Sequence, residues 1–208
     1  FKFGTVGKPA PGCEVKIGDN GEILVKGRNV MMGYYNKPEA TAEVLKDGWF
    51  HTGDVGLIDD EGFVVITDRI KELIITSGGK NIAPQRIETA VGRDHYIEQI
   101  TTIDDRRKYV SALIVPAFEA LESRAREKGW TFQTHEELVQ HPEVIAFYRQ
   151  RIDSQSTELA QFETIKAFTL LPQAFIQEND EITPTQKIKR KTIAGHYRRE
   201  IDAMYPDE

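Results

Sequence analysis

The stretch from Asp47 to Asn81 constrains this chain more than any other. Its apolar runs are short: Val55–Ile58, Phe63–Ile66 and Leu73–Ile75, each β-branched or aromatic and bounded by Gly or Asp. Runs of that length and punctuation favour strands over helix. Asp59-Asp60-Glu61-Gly62 fits a tight hairpin turn in which Gly62 supplies a positive φ. The charged groups sit around these strands. Asp54 follows Gly53 at the start of one strand, Arg69 and Lys71 lie in the polar connector Asp68–Glu72, and Ser77-Gly78-Gly79-Lys80 makes an unhindered loop. Charged groups on loops held by rigid strands are where binding chemistry usually resides.

The flanking sequence predicts a mixed architecture. Upstream, the alternation of Val15 and Ile17, the turn Asp19-Asn20-Gly21 and the run Glu22–Gly27 predict a β-hairpin, and Asn36–Glu43 a short helix with Pro38 in its first turn. Downstream, Pro84–Val91 reads as a helix, and Ile97–Ile103 and Tyr109–Val115 as strands joined by the charged turn Asp104–Lys108. Residues 117–160 are polar and helix-rich. Thr134 and Glu137 form a capping box, and Pro142 opens a helix with Val144, Ile145, Tyr148 and Ile152 on one face. Near the end, Ile193, Tyr197, Ile201 and Met204 predict one amphipathic helix after the basic run Lys187–Lys191. Interleaved strands and helices indicate an α+β class, with a small compact domain beginning near Lys71.

Composition narrows the function. The 208 residues suffice for one or two domains with a real core. A net charge of −6 argues against nucleic acid as a partner. The lone Cys13 excludes an internal disulfide framework and fits a reducing, cytoplasmic setting. No apolar run approaches the length of a membrane span. His51, His95, His135, His141 and His196 show no zinc spacing, so no metal site is expected in this chain. Phe1 is neither an initiator Met nor part of a signal-peptide pattern, and the start reads as a cut.

Three motifs in order carry a resemblance: Trp49-Phe50-His51-Thr52-Gly53-Asp54, Asp68-Arg69-Ile70-Lys71-Glu72, and Ser77-Gly78-Gly79-Lys80-Asn81-Ile82. Together with Gly21-Glu22-Ile23-Leu24-Val25-Lys26-Gly27 and Thr183-Pro184-Thr185-Gln186-Lys187-Ile188-Lys189-Arg190, they resemble the C-terminal part of the adenylate-forming enzymes. That superfamily holds acyl-CoA synthetases, peptide-synthetase adenylation domains and luciferases. The helical insertion at 117–160, followed by Phe162–Pro172, is similar to that of the long-chain fatty acyl-CoA synthetases. Where the widespread motif has Gly before its lysine, this chain has Gln186.

The resemblance implies a division into residues 1–70, the end of a distorted β-barrel in the large AMP-binding domain, and 71–208, a mobile C-terminal domain. It implies that Asp54 and Arg69 bind the nucleotide ribose, with His51 shaping that site. Lys71 is then the hinge, Ser77, Gly78, Gly79 and Lys80 line the path of CoA, and Lys187 is catalytic in adenylation. The substrates implied are a fatty acid, ATP (with AMP left on the enzyme) and CoA. Neither a phosphate-cradling loop nor the family's Mg2+-binding motif occurs in this chain. Mg2+ is therefore expected from a missing N-terminal part, and the chain alone is expected to be inactive. Missing regions also leave room for peripheral membrane contact. Two alternatives stay open: a fatty acyl-AMP ligase that passes its acyl group to a carrier protein, and a non-catalytic binding module.

Overall fold

The computed structural model describes residues 2–70, 73–75, 81–103 and 107–206. The chain separates into two compact units, Phe1–Leu73 and Ile74–Glu208.

The first unit is built on an open five-stranded sheet. Its strands are β1 (Cys13–Ile17), β2 (Glu22–Gly27), β3 (Leu45–Lys46), β4 (Trp49–Ile58) and β5 (Val64–Arg69). A short helix α1 (Pro38–Val44) precedes β3. β1, β2, β4 and β3 lie side by side in that order, and β5 also pairs with β4; every pairing is antiparallel. The predicted hairpins form, with Gly21 and Gly62 at φ +81° and +83°. β4 is much longer than the run Val55–Ile58 suggested, because it pairs with neighbours on both sides. Asp68 and Arg69, expected in a connector, close the end of β5 instead. Gly56 is where strands come closest: a Cβ there would sit 2.1 Å from the Val65 carbonyl oxygen and 2.7 Å from Ile23 Cδ1.

The second unit places helices on both faces of a small sheet. It contains the strand pair β6 (Ile74–Ile75) and β7 (Asn81–Ile82), helix α2 (Pro84–Gly92), and strands β8 (Ile97–Ile103) and β9 (Ser111–Pro116). Helices α3 (Phe118–Lys128), α4 (His135–Gln140) and α5 (Pro142–Gln155) follow, then strand β10 (Ala167–Leu170). The sheet order is β10-β9-β8, with β10 parallel to β9. A parallel pair needs a long crossover; the helices α3, α4 and α5 supply it.

β9 is buried along its whole length. Its alternation sends Ala112 and Ile114 into a core with Ile87, Val91, Leu121, Leu138, Tyr148 and Ile152. Leu113 and Val115 enter a second core with Phe175, Ile182, Ile193, Ile201 and Met204. Tyr148 Oη, fully buried, donates to the Tyr96 carbonyl at 2.6 Å.

Several local expectations hold in altered form. Thr134 caps α4 by accepting the Glu137 amide at 3.3 Å, but the Glu137 carboxylate reaches back to the Gln133 amide, one residue earlier than a capping box requires. On α5, Val144, Tyr148 and Ile152 are buried while Ile145 turns outward. The single terminal helix is two, α6 (Arg190–His196) and α7 (Arg198–Ala203), broken at Tyr197, whose φ and ψ of −103° and 31° leave the helical region. The break lets Ile193, Ile201 and Met204 all reach the second core. The α+β class holds throughout. No helix among the described residues is long and apolar enough to cross a membrane.

Gly56→Ala should lower the stability of the first unit by roughly 1–3 kcal/mol or more, because backbone must move to admit the methyl. Urea unfolding followed by Trp49 fluorescence, in a Trp130→Phe background, measures it. An unchanged midpoint would show that the strands can part at no cost.

Candidate functional site

In the first unit, sheet register brings two predicted site residues together. Asp54 on β4 lies opposite Arg69 on β5, and Arg69 Nε stands 3.0 Å from Asp54 Oδ1. Arg69 is mostly exposed, whereas Asp54 is about three-quarters covered. A bulge between Val55 and Gly56 shifts the register just beyond this pair. One Asp54 oxygen is therefore occupied by a guanidinium in this arrangement, and the carboxylate keeps further acceptor capacity.

The backbone before Asp54 is held by a residue that the sequence did not single out. Glu22 is buried; its Oε1 accepts the Gly53 amide at 2.9 Å and its Oε2 lies 2.8 Å from His51 Nδ1. Thr52 Oγ1 donates to the Ile23 carbonyl at 2.7 Å and accepts the Asp54 amide at 3.0 Å. Gly53 has φ +73°, a conformation other residues rarely adopt, although nothing blocks a Cβ there. His51 thus shapes the loop through Glu22. The one sequence signal for Glu22 is an acid directly before the apolar run Ile23–Val25.

Lys71 and the loop Ser77, Gly78, Gly79 and Lys80 lie outside the described residues. So does Asp104 in the predicted charged turn.

In the second unit, Lys187 sits on a small hairpin. Ile182 and Ile188 bridge antiparallel, the Thr183 amide donates to the Lys187 carbonyl at 2.8 Å, and the Lys187 amide donates to Thr183 Oγ1 at 3.0 Å. The turn closes through Gln186, whose amide donates to the Thr183 carbonyl at 2.9 Å and whose φ is +63°. The left-handed conformation explains why Gly serves at this position in the common form of the motif.

Lys187 is exposed, and among the described residues no carboxylate is paired with it. Its neighbours differ from one another. Lys189 pairs with Asp180, and Arg190 Nη2 stands 2.5 Å from Glu88 Oε2. Burial pushes the Glu88 carboxyl up, against the opposing pull of Arg190. Burial first, and then the Glu181 charge, push the Tyr197 phenol up to about 12. Within the basic run Lys187 and Lys191 are exposed, whereas Lys189 and Arg190 are half-buried. Among the described residues, no group of three or more His, Cys, Asp or Glu side chains is placed to hold a metal ion.

Comparison with known proteins shows the family. The family described as AMP-binding enzyme C-terminal domain matches residues 71–208. A long-chain-fatty-acid–CoA ligase of Mycobacterium tuberculosis, FadD15, is 38% identical over 209 residues, covering 100% of this chain and 35% of that protein. Long chain acyl-CoA synthetase 1 of Arabidopsis thaliana is 36% identical over 219 residues, covering 98% of this chain and 33% of its own length. The chain thus spans about a third of the curated relatives it matches. Among solved structures, the A domain of a carboxylic acid reductase from Segniliparus rugosus, in complex with AMP and a carboxylic acid, superposes with a TM-score of 0.72. At 24% identity, over 96% of this chain and 32% of that one, it shows the fold alone. O-succinylbenzoate coenzyme A synthetase of Bacillus subtilis, in complex with AMP, gives a TM-score of 0.59 at 28% identity, over 91% of this chain and 35% of that one.

The φ of Gln186 generates a prediction. Gln186→Gly relieves the left-handed strain but loosens the unfolded chain, so the two effects should cancel to within about 1 kcal/mol. Gln186→Val places a β-branched residue at positive φ and should cost roughly 1–3 kcal/mol. Denaturation followed by Trp130 fluorescence, in a Trp49→Phe background, reads both. Equal midpoints for the two variants would contradict the backbone argument.

Proposed function

Since this chain belongs to the family of AMP-binding enzyme C-terminal domains, we propose that it forms the C-terminal portion of a long-chain fatty acid–CoA ligase. The 38% and 36% identities to enzymes so named, running along essentially the whole chain, support that reading. The observation that carries it is the hairpin bearing Lys187, an ammonium with no carboxylate partner among the described residues, on a backbone fixed at Thr183.

A carboxylate is a poor acylating agent, and its attack on the α-phosphorus of ATP brings two anions together. Lys187 lowers that cost: at ~4 Å and an effective dielectric of ~20, one such contact is worth roughly 4 kcal/mol before desolvation. The P–O bond to pyrophosphate breaks as the acyl–phosphate bond forms. Asp54 accepts from the ribose hydroxyls, and Arg69, always charged, donates at the same edge of the sheet. In the second half-reaction the CoA thiol attacks the acyl carbon, AMP leaves with the bonding pair, and the thiol proton goes to solvent. Lys71 serves as the hinge between residues 1–70 and 71–208. Ser77, Gly78, Gly79 and Lys80 line the path of the pantetheine arm, where glycine admits close backbone approach. Lys187, Asp54 and Arg69 carry the steps assigned to this chain.

The full-length gene product, given ATP, palmitate and CoA, should yield pyrophosphate, AMP and palmitoyl-CoA by mass spectrometry. The 208-residue chain alone should release no pyrophosphate. Accumulation of acyl-AMP without thioester would replace this reading with the carrier-protein ligase, and no turnover would leave a binding module. Lys187→Ala should slow adenylation on the order of 100- to 1000-fold. Thioester formation from supplied acyl-AMP should stay near normal. Lys191→Ala is the control. Equal adenylation by both variants would remove Lys187 from the mechanism.

A further inference from the structure

One buried acid of the second unit has no part in the chemistry above. Glu181 has a side chain 2% exposed and stands at the base of the Lys187 hairpin. Its Oε2 accepts the Ile176 amide at 3.0 Å, and its Oε1 lies 3.2 Å from His196 Nδ1 on α6. Its own amide donates to the Ile176 carbonyl at 3.2 Å, and its carbonyl accepts the Lys189 amide at 2.8 Å. The next residue, Ile182, bridges to Ile188 and enters the second core. Glu181 therefore joins three segments: the loop at Ile176, both stems of the hairpin, and the helix that follows Lys187.

We propose that Glu181 is a positioning residue for Lys187, holding the hairpin at the angle from which the ammonium reaches the reacting carboxylate and phosphate. The assignment rests on the adenylation role given to Lys187 above. The carboxylate suits the position because it accepts at both oxygens. A glutamine of the same shape keeps one acceptor oxygen and puts an NH2 where the second carboxylate oxygen stood, so it cannot accept from the Ile176 amide and face His196 in the same way. One of the two side-chain attachments of the hairpin base is then altered, while the Ile182–Ile188 bridge and the backbone bonds remain. A lysine displaced by as little as an ångström loses most of its effect on rate.

A structural acid and a positioning acid predict different kinetics. Loss of a purely structural contact harms both half-reactions through the amount of folded enzyme. Loss of Lys187 alignment harms only the half-reaction that uses Lys187. The full-length gene product is therefore compared as wild type, Glu181→Gln, Glu181→Ala and Lys187→Ala. Pyrophosphate release, thioester formation from supplied acyl-AMP, and thermal melting are followed in each.

Glu181→Gln should slow pyrophosphate release about 10- to 100-fold, mainly through kcat with the KM for ATP little changed. The thioester step should remain near wild type. Glu181→Ala should show the same split at equal or greater depth, and Glu181→Gln decides the matter if the alanine variant fails to fold. Equal losses in both half-reactions of Glu181→Gln would overturn the proposal and leave a structural acid. Normal adenylation by Glu181→Gln beside a defective Lys187→Ala would also overturn it while the role of Lys187 stands. Normal adenylation by Lys187→Ala would remove that role and this inference with it.

Discussion

A carboxylate taken out of water has to be met by donors, and this chain repeatedly uses that constraint to fasten one element to another. Asp94, just past α2, accepts from Arg151 Nε at 2.7 Å and the Tyr96 amide at 3.0 Å, tying the sheet to α5. Glu163 accepts the Ala160 amide at 2.9 Å and Arg86 Nη1 at 3.1 Å, tying the end of the crossover to α2. Glu22 and Glu181 do the same beneath the two loops of chemical interest. Such groups add little net stability over apolar residues of equal size, but leaving one of them without its donors costs about 1–3 kcal/mol. They therefore act against alternative packings more than they strengthen this one. That is what loops carrying charged functional groups require.

The second constraint is the position of β9. A strand buried on both faces, between β8 and β10, has no solvent edge and no polar face. Parallel pairing with β10 obliges the chain to travel from one end of the sheet to the other, and α3, α4 and α5 make that journey while covering the first core. The insertion that ties this sequence to the long-chain enzymes is thus part of the connection that makes the sheet. Its polar composition reflects helices with one face buried and the rest in water.

How much of this is legible in the residues depends on the range of the interaction. Hairpins closed by Asn20-Gly21 and Glu61-Gly62, and helices opened by Pro38, Pro84 and Pro142, are local, and the sequence states them. Asp54 and Arg69 were each visible through their motifs. Their approach depends on the register of β4 against β5, which is fixed by Gly56 and a bulge beyond the reach of local pattern. The break at Tyr197 was missed because apolar spacing of four, four and three is compatible with one helix. Only the shape of the second core shows that two are needed. Glu22 carried only the weak signal of an acid before an apolar run, and Glu181 none, since an acid in a strand or turn normally faces water. Lys189 and Lys191 were indistinguishable in the basic run, yet the fold pairs the first with Asp180 and leaves the second exposed.

The two kinds of support suit the two kinds of group. An aspartate has a short side chain, so its carboxylate is placed almost entirely by its backbone; Asp54 accordingly lies in a strand, facing Arg69 across a fixed register. A lysine brings a point charge on a flexible stem, and ordering that stem costs up to about 2 kcal/mol. In the adenylation role proposed for Lys187, that cost is set against roughly 4 kcal/mol from one contact between the ammonium and the reacting anions. Each backbone residue ordered at the same moment would cost a further 1–2 kcal/mol, and two or three of them would cancel the gain. The Thr183 bonds to Lys187 and the left-handed turn at Gln186 meet that cost when the protein folds. Only the side chain of Lys187 is then left to order.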